Sequence, residues 1–291
     1  MNIRTESCRS LIVVLVLTLL LSCNTTPQKE TSETSTVSPE PDQPEKVSAR
    51  PVHWSYEASE GPATWGTLSP VYALCGNGTS QSPINIDDSE IEGEAPFSID
   101  YGTSSLRIAF NQHVDNIVDN GHTIQINVDE GSTFTVSGKV YQLKQFHFHT
   151  PSEHTIDGQH FPLETHFVHQ SEDESLAVVG VLFKEGSENP SFASIIANLP
   201  QTKGESKQLE DEILQLHLHV PQDNGAYFYS GSLTTPPCSE DVQWLVLRAH
   251  PNLAAEQIEA ISSVIGPNNR PVQTLNNRQV QSKELMDSSA N

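Results

Sequence analysis

Residues 143–149 read Leu143-Lys144-Gln145-Phe146-His147-Phe148-His149. As a β-strand, this run sends Gln145, His147 and His149 to one face and Phe146 and Phe148 to the other, because side chains alternate with period two. Two imidazoles then point the same way from an element whose reverse side is anchored in a core. Alone the pattern is a weak metal signal, since zinc sites take three or four ligands.

A second run, Glu164-Thr165-His166-Phe167-Val168, strengthens it: Glu164, His166 and Val168 share a face, with Phe167 behind. Three histidines with no thiolate and no fourth protein ligand describe a catalytic zinc site that keeps one position open. Each ligand strand also carries a polar residue two positions upstream on the same face, Gln145 for His147 and Glu164 for His166. Such partners fix the tautomer and hold the ring. The other reading of Glu164 is a solvated strand charge. His217-Leu218-His219 repeats the spacing without an orienting acid or amide, so Leu216 and Leu218 are expected in the core and the histidines in solvent. His53, His113, His160 and His250 lie near loops or strand ends and read as surface residues.

Further strands are expected at 98–110, 123–128, 133–136, 142–149, 164–169, 177–183, 226–229 and 243–247, separated by Gly, Asn, Asp and Pro clusters. Helices are few. Asn189-Pro190 reads as a helix start leading Phe192, Ile195, Ile196 and Leu199 along one face, and 253–265 reads as a second helix stopped by Gly266. The fold class is a β-dominated α+β protein, with one domain over 51–283 on a large central, mostly antiparallel twisted sheet with a few short peripheral helices; 284–291 is a tail.

Upstream of that domain, Arg4 and Arg9 precede the apolar run 11–21, too short to span a membrane but the length of a signal-peptide core. The run ends in Leu20-Leu21-Ser22-Cys23, which resembles a bacterial lipobox. The expectation is a signal peptide over 1–22, lipidation at Cys23, and a disordered tether over 23–50 whose Thr, Ser, Pro and Glu cannot offset their ordering entropy. The alternative is an ordinary cleaved signal with an incidental cysteine. The domain would then be exported and held at the bacterial envelope, periplasmic or on the outer-membrane surface, touching membrane only through its lipid. Cys75 and Cys238 remain in the mature chain as an even pair, either a disulfide suited to an oxidising compartment or two buried thiols.

The 291 residues carry 37 acidic and 15 basic side chains, a net charge of −22, with no basic run, which excludes nucleic acid as a partner. Residues 51–291 hold 31 of the acidic and 10 of the basic side chains, so the charge belongs to the domain and not to the tether.

From about His53 to Val280 the chain resembles an alpha-class carbonic anhydrase of the bacterial type. The matching stretches are HWSYE at 53, GPATWG at 61, QSPINI at 81, NGH at 120, QFHFHTPSEH at 145, ETHFVH at 164, LAVVGVLF at 176, GSLTTPPCSE at 231, Trp244 and NNRQV at 276, in that family's order. The resemblance implies that fold, and reversible hydration of carbon dioxide to bicarbonate and a proton by zinc hydroxide. It implies His147, His149 and His166 as Zn2+ ligands, and Thr234 as the residue that accepts the hydroxide's hydrogen bond and donates its own to Glu153. Val168, Val178, Leu233 and Trp244, with Thr234 and Thr235, would form the substrate pocket, and His122 would shuttle protons. Tyr56 and Gln125 would order the pocket waters. It also implies a Cys75–Cys238 disulfide, binding of sulfonamide and anion inhibitors, and room for a homodimer. Without the resemblance, His122 is a turn histidine, Thr234 a turn residue, Glu153 a strand-end acid and the pocket residues ordinary core. A metal-free binding domain, a zinc esterase and a surface adhesin are the competing functions.

Overall fold

The computed structural model describes residues 51–87, 97–100, 103–110, 121–128, 131–221 and 225–283. The leader, Cys23 and tether read from 1–50, His113, and the tail 284–291 lie outside the described residues. Fourteen strands follow in order: β1 (Asn85–Ile86), β2 (Phe97–Asp100), β3 (Thr103–Phe110), β4 (Ile124–Asn127), β5 (Thr133–Val136), β6 (Lys139–His149), β7 (Thr155–Ile156), β8 (Leu163–Gln170), β9 (Leu176–Glu185), β10 (Ser206–Gln215), β11 (Ala226–Ser232), β12 (Glu240–Leu247), β13 (Asn252–Leu253) and β14 (Gln281–Lys283). The helices are short: α1 (Trp65–Leu68), α2 (Leu74–Asn77), α3 (Ala193–Ala197) and α4 (Ala255–Ile265).

The spine of the fold is a twelve-stranded mixed sheet in the order β10-β3-β4-β6-β8-β9-β12-β11-β14. Neighbours along it are antiparallel except β9 and β12, which run parallel. Alternation splits the core into two layers. Ile124, Ile126, Phe146, Phe148, Phe167, Val179, Val181 and Phe183 face one side, where Phe192, Ile195, Ile261 and Ile265 from the α3 and α4 region cover them. Val178, Leu182, Tyr227, Tyr229, Trp244 and Val246 face the other. Because β9 is covered on both faces, its sequence is a continuous apolar run and not an alternating one.

Several elements differ from the sequence expectation. The run 98–110 is two strands: β2 pairs with β5, whereas β3 pairs with β4 and β10. Strand β10 was not anticipated, because an edge strand with Glu210-Asp211-Glu212 at its register shift lacks the apolar alternation of a buried strand. Asn189 does accept from the Ser191 N–H, but Pro190–Phe192 is a 3-10 turn leading into α3. Leu253 belongs to β13, and the second helix starts at Ala255. His219 corrects its expected place: Leu216–Leu218 is a 3-10 turn, so Leu218 is 53% exposed and His219 is buried against Phe146 and Phe192.

Candidate active site

Strands β6 and β8 pair antiparallel with His147 opposite His166, and His149 follows two residues along β6 on the same face. The ring centroids stand 5.1 Å (His147–His149), 5.4 Å (His147–His166) and 4.4 Å (His149–His166) apart. One nitrogen from each ring lies within 4.8 Å of the others. The opposite nitrogens are spoken for. His147 Nδ1 donates to Gln145 Oε1 at 2.9 Å, His149 Nδ1 to the Asn268 carbonyl at 2.8 Å, and His166 Nε2 to Glu164 Oε1 at 2.8 Å. A common ligand would be held by Nε2 of His147 and His149 and Nδ1 of His166.

His149 Nε2 is buried without a hydrogen-bond partner, an arrangement that costs free energy unless something accepts its lone pair. Burial lowers the pKa of His149, keeping the imidazole neutral, as a metal requires. Three imidazoles with their outer nitrogens oriented by an amide, a carbonyl and a carboxylate fit a metal ion.

Glu164 is fully buried, and burial would raise its pKa, yet His154 and His166 beside it outweigh that and hold the carboxyl well below its usual range. Its four contacts are His166 Nε2, His154 Nδ1 and the N–H groups of Glu153 and His154. Residue 180, opposite His166, is glycine, and a Cβ there would stand 3.2 Å from Glu164 Oε1, close enough to press on the carboxylate. Since Glu164 takes the Nδ1 proton of His154, His154 Nε2 accepts from Tyr229 Oη at 2.6 Å, and Tyr229 in turn bonds Ser82 Oγ at 2.9 Å. Glu153 is buried behind the same rings, with Oε1 accepting the Arg270 N–H at 2.8 Å. The Thr234-to-Glu153 hydrogen bond implied by the resemblance is not formed: Glu153 Oε2 has no hydrogen-bond partner among the described residues.

The histidines open into a cavity of about 550 Å³. Val168, Leu176, Val178, Leu233 and Trp244 are its apolar lining, Gln125, Asn127, Gln145 and Gln170 its amide lining, and Trp54, Tyr56, His122, Thr234 and Thr235 also line it with the three histidines. Every catalytic, pocket, metal-binding and ligand-orienting residue chosen from sequence lines this cavity except Glu153 and Glu164. His122 is buried, stacked on Trp54 at 3.7 Å and edge-on to Tyr56 at 5.6 Å. Cys75 and Cys238 are disulfide-bonded. Sequence reasoning missed Asn268, Arg270, His154, Tyr229 and Trp54. His154 stood within the quoted SEH run and Trp54 within HWSYE, but Asn268 acts through a carbonyl and carries no side-chain pattern to find.

The family described as eukaryotic-type carbonic anhydrase matches residues 60–284 of the chain. The chain belongs to that family. A carbonic anhydrase of Pectobacterium atrosepticum is 42% identical over 228 residues, 78% of this chain and 89% of that protein. One of Neisseria gonorrhoeae is 40% identical over 230 residues, 78% of this chain and 87% of that protein. Among solved structures, the alpha-carbonic anhydrase of Thermovibrio ammonificans in complex with the inhibitor sulfanilamide is 40% identical, with a TM-score of 0.73, and the match covers 80% of this chain and all of that one. As a carbonic anhydrase, the chain catalyses the reversible hydration of carbon dioxide. The large mixed sheet with few short helices is that of the alpha carbonic anhydrases.

Proposed function

We propose that the chain is a zinc carbonic anhydrase whose ion is held by His147, His149 and His166. The observation that carries this is the buried, partnerless Nε2 of His149 in a cluster in which one nitrogen of each ring is held by a hydrogen bond. Zinc, when bound, makes a water acidic enough to supply hydroxide near neutral pH, a property established for this family. The chain supplies the rest. Glu164, Gln145 and the Asn268 carbonyl fix the imidazole tautomers. The wall of Val168, Val178, Leu233 and Trp244 accepts a small, neutral, poorly hydrated molecule without competing hydrogen bonds. Thr234, buried at the base of the turn after β11, orients the nucleophile toward that wall, with Glu153 behind it. His122 carries the released proton outward, an imidazole being the side chain that exchanges protons near neutral pH.

Binding of sulfonamide and anion inhibitors belongs to this reading, supported by the Thermovibrio ammonificans enzyme's complex with the inhibitor sulfanilamide. Anchoring through Cys23 at the envelope belongs to this reading, supported by the lipobox-like sequence. Dialysis against a zinc chelator should abolish hydration, and one equivalent of zinc per chain should restore it. Full activity in protein stripped of metal would contradict the proposal.

A further inference from the structure

Alternation breaks at one place on β6. Leu143, Phe146 and Phe148 all lie in the same core layer, although 143 and 146 have opposite parity and a regular strand would send them to opposite faces. In the pairing with β8, Leu143 faces His169 and Gln145 faces Val168, with a register shift between them. Lys144 is therefore the extra residue of a β-bulge, a device that re-aims side chains. It joins Gln145 on the cavity side, exposed to solvent, and both line the cavity.

Charge singles out the same residue. The chain has 37 acidic and 15 basic side chains, yet among the described residues no Asp or Glu lines the cavity, and Lys144 is the one lysine or arginine that does. No described carboxylate is ion-paired with Lys144. The amides beside it also present donors. Asn127 faces Gln145 across the β4–β6 pair. Gln145 spends its oxygen on His147 and Asn127 spends its own on Gln125 Nε2, so each has its NH2 left to donate. An ammonium and two amide NH2 groups match an oxyanion and disfavour a cation.

We propose that Lys144, with Asn127 and Gln145, forms a subsite at the cavity mouth for carboxylate-type monoanions, bicarbonate being the one that the reaction itself supplies. In a molecule of net charge −22, a local cation at the entrance offsets the repulsion that such an anion meets. The subsite rests on the metal-centre reading above, because it lies on the way to that centre.

The test compares benzenesulfonamide with 4-carboxybenzenesulfonamide on the zinc enzyme, and measures product inhibition by bicarbonate, in wild type, Lys144→Gln and Lys144→Glu. The ratio of the inhibition constants, carboxylated over neutral, should rise about threefold in Lys144→Gln and further in Lys144→Glu, with the wild-type preference shrinking as salt is added. A shift in that ratio, in bicarbonate inhibition or in both supports the subsite, and which of them moves tells whether organic carboxylates or bicarbonate use it. Neutral inhibitor binding with both quantities unchanged in Lys144→Glu overturns the subsite alone. Failure of the wild type to bind the neutral inhibitor overturns the metal-centre reading, and the subsite with it.

Discussion

His122 and His149 both line the cavity, and one residue holds both. Asn268 donates its amide to the carbonyls of His122 and Phe148, each at 2.9 Å, and offers its own carbonyl to His149 Nδ1. Relay and ligand are thus set relative to each other by one buried asparagine. If His122 moves the proton, His122→Ala should lower kcat by about tenfold or more, with small imidazole buffers restoring it. Wild-type turnover of the variant in a poorly relaying buffer would remove His122 from the mechanism. At this scale the ligands were legible in the sequence because strand period leaves a pattern: histidines two apart with phenylalanines between. Asn268 and Arg270 were not, since they come from a loop more than a hundred residues away from β6 and meet the site partly through backbone groups, which leave no side-chain pattern.

The antiparallel register of β6 and β8 does most of the assembly, setting one histidine against another. The turn after β11 does the remainder. Cys238 N–H bonds the Thr235 carbonyl at 2.8 Å, Gln81 Nε2 bonds the Cys238 carbonyl at 3.0 Å, and Cys238 is tied to Cys75, whose carbonyl accepts from Arg270. A loop closed over 163 positions restricts the unfolded chain by an upper value of about 5 kcal/mol. The Cys75→Ser, Cys238→Ser variant should unfold at clearly lower denaturant concentration and also lose activity, because the turn that carries Thr234 loosens. Lower stability with unchanged activity would restrict the bridge to a structural part. Strand elements with buried faces were visible as sequence; β10 was not, because a sheet edge is selected for charge and not for apolar alternation. The bulge at Lys144 was hidden for a related reason: one extra residue inverts a face without changing composition.

At the scale of the whole molecule, folding commits particular buried histidines to the neutral form. His169 is fully buried, and burial lowers its pKa from 6.5 to about 3; His149 is lowered by burial as well. The unfolded chain therefore binds these protons more readily than the folded one. The stability that His169 contributes is complete above pH 6.5 and is lost as pH falls toward 3, at up to about 1.4 kcal/mol per pH unit. Denaturant unfolding of metal-free protein at pH 7, 5 and 4 should show this decline, and His169→Gln should flatten it; equal slopes would contradict the assignment.

The acidic balance that excluded nucleic acid does not extend to the described lining of the cavity, which holds no carboxylate. The sharpest test of the account as a whole is stopped-flow hydration of carbon dioxide by the zinc-loaded chain, with and without a sulfonamide, beside a His147→Ala, His149→Ala, His166→Ala triple variant. The account predicts rapid hydration that the sulfonamide suppresses and the variant lacks. Absence of hydration by the zinc-loaded protein, or equal hydration by the variant, would contradict it.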